Sequence, residues 1–97
     1  LYEDEQCVAI NDINPHAPVH VLVIPRRGIP RLVDGEADDQ ALLGHLMLAA
    51  SMVAEQLGVD DAFRLIVNNG AGAGQTVFHL HLHILAGRAF AEGHMAG

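Results

Sequence analysis

The sequence predicts an α+β fold: an antiparallel sheet of about five strands with one long helix packed on it. Three observations carry this. Short apolar runs bounded by turn residues recur at residues 7–10, 20–24 and 63–68. One long segment, residues 38–57, repeats its apolar residues at helical spacing. Residues 75–85, QTVFHLHLHIL, alternate His79, His81 and His83 with Leu80, Leu82 and Ile84, the period-two signature of a strand. A chain of 97 residues, 51% of them hydrophobic, sets an expectation of one domain spanning residues 1–97 with a core of Leu, Val, Ile and Ala.

The elements follow in order. The chain opens at Leu1 without Met and already reads as strand, so a further segment upstream is expected. Residues 1–5 are short and acidic, and Cys7, Val8, Ala9 and Ile10 read as a buried strand. Asn11-Asp12-Ile13-Asn14-Pro15 is a turn, because Asn and Asp bond their own backbone and proline fixes its φ. Residues 20–24 are apolar on both faces, as in a central strand, and Pro25 ends them because it has no N–H for the ladder. A polar connection then leads to the helix. Asp38 and Asp39 suit its positive end, and Leu43, Leu46, Met47, Ala50, Val53, Ala54 and Leu57 form its apolar face. Gly58 is placed to stop it in the left-handed conformation. His45 falls on its polar side and reads as solvated. Residues 63–68 are the next strand, a glycine-rich loop and the histidine strand follow, and residues 89–97 read as an extended or frayed tail.

Composition excludes several classes. The net charge is −7, with five arginines and no lysine, so the clustered positive surface that nucleic acids or anionic membranes need is missing. A small anionic ligand needs only a few local donors. No apolar run approaches the roughly 18 residues of a membrane span. Cys7 is the single cysteine, which fits a reducing compartment, and a cytoplasmic location is expected.

The chemistry concentrates at residues 68–85. On a strand the three imidazoles share one face, next to Asn68-Asn69-Gly70-Ala71-Gly72-Ala73-Gly74, a loop whose backbone N–H groups can approach an anion. Zinc is one reading, with His20 or Asp12 as a further ligand, but three same-face residues span about 13 Å, a poor fit to one ion. The other reading is nucleophilic attack on phosphorus by neutral imidazole. His81, central, is flanked by neighbours able to set its tautomer or stabilise a phosphoryl oxygen. Gln75 and Thr76 stand ready to donate to substrate. This arrangement needs no metal and no cofactor.

His79-Leu80-His81-Leu82-His83-Ile84-Leu85 resembles the histidine triad motif, and Asp12 to Pro25, Asn68-Asn69-Gly70, Gly74 to Phe78 and Gly87-Arg88 resemble the Hint-like branch of that family. The resemblance implies hydrolysis of nucleoside 5′-monophosphate–X substrates, purine nucleoside phosphoramidates such as AMP–amine, through a nucleotidyl-histidine intermediate. It implies His81 as nucleophile, His83 and His79 as its supports, and Thr76, where the branch usually has Ser, as the hydroxyl near the leaving group. It places His20, Asn68, Gly74 and Gln75 around the nucleotide, Asp12 at the ribose and Ile13 at the base. It also implies a homodimer with the long helix and a sheet edge at the interface. A dinucleoside polyphosphate hydrolase of the same superfamily and a non-catalytic nucleotide-binding protein are the alternatives.

Overall fold

The computed structural model describes residues 1–93. Five strands make one antiparallel sheet: β1 (Tyr2–Glu3), β2 (Cys7–Asn11), β3 (Val19–Pro25), β4 (Phe63–Ile66) and β5 (Leu82–Ala86). Their spatial order is β1-β2-β3-β5-β4. One α-helix among the described residues, α1 (Gln40–Gln56), packs on one face.

Register decides which residues meet. On β3 and β5, Val21 lies opposite Ile84 and Val23 opposite Leu82, and all four are buried beneath α1 with Cys7 and Ala9 of β2. The side-chain period of two sends their neighbours to the far face. There His20 lies opposite Leu85 and Leu22 opposite His83, which makes His20 and His83 diagonal neighbours.

The helix is shorter than its pattern suggested. A single 3₁₀ turn, Ala37–Asp39, precedes it, and Asp39 is buried rather than solvated at the helix start. Asp39 accepts the Glu36 N–H at 2.9 Å, and the Arg27 guanidinium stands 2.5 Å from its other oxygen. The C-terminal end behaves as expected. Gly58 has φ +73°, its N–H bonds Glu55 O, and the Val59 N–H bonds Ala54 O, the two bonds of a Schellman cap. The buried face consists of Leu46, Ala49, Ala50, Val53 and Ala54, so Met47, read as core, is corrected: it is 57% exposed, beside the equally bare Leu48 and Met52. His45 is corrected too, for its Nε2 lies 2.6 Å from the Asp4 carboxylate.

The histidine segment differs most. Only residues 82–86 are strand, so His83 alone of the three sits in the sheet. Continuing the register past Val23 and Leu82 sets Pro25 opposite Leu80, and proline has no N–H to offer there. The Leu80 N–H turns instead to the Ile29 carbonyl at 2.6 Å, and the His79 Nε2–H donates to the Pro25 carbonyl at 2.6 Å. The three imidazoles therefore do not share one pleated face. After β5, Gly87 adopts φ +93° and a Cβ there would lie 2.8 Å from Pro18, so only glycine fits. Of the expected tail, residues 89–93 are irregular but tied down, with Phe90 stacked against the guanidinium groups of Arg64 and Arg88. Residues 94–97 of that expectation lie outside the described residues. Among the described residues, no helix is long and apolar enough to cross a membrane.

Candidate active site

A cavity of about 490 Å³ opens on the sheet face turned away from α1. Of the residues expected at a site, Asp12, His20, Asn68, Gly74, Thr76 and His83 line it. The turn before β3, the start of β3, the loop after β4 and the start of β5 supply them, which is why residues far apart in sequence converge. A larger depression of about 720 Å³ runs along β4 beneath Phe90, but its lining is mostly apolar and holds no histidine.

His20 is nearly buried and held by three polar neighbours. The His16 backbone N–H donates to its Nδ1 at 3.0 Å. Its Nε2 is 2.9 Å from His83 Nδ1 and 3.3 Å from the Asp12 carboxylate. Asp12 uses its other oxygen to accept the Asn14 N–H at 2.8 Å, closing the turn that the sequence foretold. Burial lowers the pKa of His20 despite the pull of Asp12. Burial, with His81 and His20 nearby, pushes His83 down to about 4, so its imidazole is neutral near pH 7. Among the described residues, two buried side-chain polar atoms lack a hydrogen bond. One is Asp39 Oδ1, which has Arg27 beside it; the other is His83 Nε2.

His81 stands next to this pair, its ring centroid 4.9 Å from that of His83. Its Nδ1 is 2.8 Å from the His79 carbonyl oxygen. A carbonyl only accepts, so Nδ1 carries a proton, and the lone pair of the neutral ring is then on Nε2. That is the tautomer a nucleophile requires. His79 bonds the Pro25 carbonyl and so anchors the bend that carries His81.

Other expected residues are placed differently. Gln75 is buried, and its amide is committed to protein: Oε1 accepts the Gly70 N–H at 2.8 Å, while Nε2 donates to Pro30 O at 2.7 Å and Val77 O at 3.0 Å. The expectation that it donates to substrate is corrected, because it instead ties the glycine loop to the connection before α1. The loop's anion cradle is narrowed in the same way. The amides of Ala73, Gly74 and Gln75 bond carbonyls within the loop, and that of Gly70 bonds Gln75. Ile13 is 92% exposed beside the Asp12 turn, so it is not core. Asn14, His16 and Arg88 also line the cavity, and only proximity in the folded chain reveals them.

Ligating atoms of Asp12, His20 and His83 come within 4.8 Å of one another, close enough to share a cation. The nitrogens of His20 and His83 that face each other already share one proton, which an ion would have to displace. A second such group, Asp4, Cys7 and His45, lies apart from the cavity.

The HIT domain profile matches residues 1–90. An uncharacterized HIT-like protein of Synechocystis sp. is 60% identical over 90 residues, covering 93% of this chain and 79% of that protein. A HIT family hydrolase from Legionella pneumophila superposes with a TM-score of 0.91 at 38% identity, over 95% of this chain and 83% of its own. A histidine triad protein from Clostridium difficile gives 0.90 at 39% identity, over 95% and 81%. The five-stranded antiparallel sheet with one helix is the fold these structures share.

Proposed function

The chain belongs to the HIT domain family, and from that premise we propose that it is a hydrolase of the Hint-like branch, a purine nucleoside phosphoramidase. The observation that carries this reading is the Nδ1–H bond of His81 to the His79 carbonyl, which leaves the neutral ring's lone pair on Nε2, with His81 lying next to His83 of the cavity wall. In the first step His81 Nε2 attacks the α-phosphorus of AMP–amine, the new N–P bond forms, and the bond to the amine breaks with the amine taking up a proton from solvent, which the attacking water of the second step returns. Thr76 donates a hydrogen bond to the departing group. In the second step water attacks phosphorus, the histidine–phosphorus bond breaks, and AMP leaves with His81 restored. A neutral attacking imidazole becomes cationic as it bonds phosphorus, and its Nδ1–H bond to the His79 carbonyl strengthens at that moment. Asp12 and Ile13 receive the nucleoside, the carboxylate accepting from ribose hydroxyls and the bare Ile13 packing on the base. No metal or cofactor takes part in either step.

The test is hydrolysis of an AMP–amine phosphoramidate beside a diadenosine polyphosphate, with chelator present, for the wild type and His81→Ala. Release of AMP from the phosphoramidate, lost in His81→Ala and indifferent to chelator, is the expected result. Preference for the polyphosphate moves the assignment to the other branch, and AMP binding without turnover of either sinks the enzyme reading.

The same reading includes a homodimer built on α1 and a sheet edge. The exposed Met47, Leu48 and Met52 support it, since three bare apolar side chains on one helix need a cover. Sedimentation checks this: the wild type runs as a dimer and Leu48→Glu as a monomer, and a monomeric wild type overturns it.

A further inference from the structure

We propose that the main-chain N–H of His16 sets the tautomers of His20 and His83, so that His83 arrives at the substrate as a neutral Nε2–H donor. A backbone amide can only donate, so at 3.0 Å the His20 Nδ1 must carry its lone pair. The proton of His20 therefore sits on Nε2. That N–H points at His83 Nδ1, 2.9 Å away, with the Asp12 carboxylate 3.3 Å off as a second acceptor. A proton on His83 Nδ1 would collide with it, so His83 Nδ1 is the acceptor. Its single proton is thereby displaced to Nε2, the buried atom with no hydrogen-bond partner. The chain of assignments runs one way only, because its first member cannot be reversed.

The consequence is a division of labour. His81, with its proton on Nδ1, presents a lone pair. His83, with its proton on Nε2, presents a donor and cannot act as a base or a second nucleophile at that nitrogen. An unsatisfied buried donor is unfavourable, and it becomes favourable when a ligand brings the acceptor. An oxygen of a phosphoryl group bound at His81 is that acceptor. The hydrogen bond comes from the His16 amide and not from its imidazole, so the amide is a positioning group, acting through His20.

This assignment rests on the phosphoryl-transfer reading for its purpose but not for its test. Nitrogen-15 NMR of the imidazoles reads each tautomer directly in the whole protein. The expected pattern is Nε2–H for His20 and His83 and Nδ1–H for His81, with no substrate present. His16→Ala keeps the amide and the pattern. His16→Pro removes the N–H, and His20 and His83 then show mixed tautomers with AMP affinity down about tenfold. Should His16→Pro fail to fold, His20→Phe serves, and it too leaves His83 mixed. Nδ1–H on His83 in the wild type, or an unchanged pattern in a folded His16→Pro, overturns the proposal. If the tautomers are as stated and phosphoramidate is not cleaved, the functional reading falls and the relay stands.

Discussion

Two clusters in this molecule each join a carboxylate to an imidazole. One joins Asp12, His20 and His83 on the cavity face; the other joins Asp4, Cys7 and His45 on the helix side of the sheet. In the second, every donor that could use the carboxylate does. Asp4 Oδ1 accepts the N–H of Gln6 at 2.7 Å and of Cys7 at 2.8 Å. Its Oδ2 accepts from Tyr2 at 2.8 Å and faces His45 Nε2 at 2.6 Å, with the Cys7 thiol 3.8 Å away. Burial works against the ionised form of Asp4, but these donors outweigh it and hold its pKa well below the usual carboxylate range. Burial, reinforced by Asp4, pushes the Cys7 thiol up to about 11, so it stays protonated. The cavity-side cluster ends instead on a donor without an acceptor. A closed network ties β1, β2 and α1 together; an open one is completed only by a ligand. Composition does not separate the two. Satisfaction of hydrogen bonds does.

Substitutions on each side sharpen that contrast. The largest effect belongs to the open cluster. His83→Phe is expected to lower phosphoramidate turnover by about 10²–10⁴-fold, the range for losing a positioned donor or proton-transfer group. Its thermal midpoint should hold or rise, because an orphaned buried donor is removed while the His20 Nε2–H keeps the Asp12 carboxylate 3.3 Å away as its acceptor. Loss of folding in parallel with activity would erase the distinction. The closed cluster should give the converse. Asp4→Ala strands several donors at once, so its midpoint falls by several degrees while turnover per folded molecule is unchanged.

The smallest effect lies in the pH dependence of stability, where the two clusters occupy different windows. A depressed pKa in the folded state means that the unfolded chain binds the proton more readily, so stability is present above the unfolded value and is lost as pH falls. For His83 that loss runs from 6.5 down to about 4. For Asp4 it lies lower, as pH falls through the ordinary carboxylate value of 3.8 and beyond. Melting profiles of His83→Phe should flatten in the upper window and those of Asp4→Ala in the lower; flattening of both windows by one variant would show the clusters to be coupled.

Much of this was legible beforehand. The central strand β3, the helix with its Gly58 cap and the Asp12 turn each follow from a local rule, and each appears within a residue or two of its expected place. The errors come from unseen partners. Gln75 and the glycine loop look like free donors along the chain, but the loop amides bond carbonyls within the loop and the Gln75 amide reaches back to Pro30. His45 looked solvated because Asp4, its partner, lies 41 positions away. Met47 looked like core because helical periodicity gives a stripe without saying where the sheet ends.

The sequence alone determined the element types, the antiparallel α+β class and the presence of a histidine triad beside a tight glycine loop. Those depend on side-chain period, φ restrictions and residue identity, all local. Tertiary structure decided which imidazole lies in the sheet, which amide fixes which ring nitrogen, and which of two similar clusters is left open. Those depend on the β3–β5 register and on acceptors supplied across the fold, since a hydrogen bond's partner is set by position in space rather than along the chain.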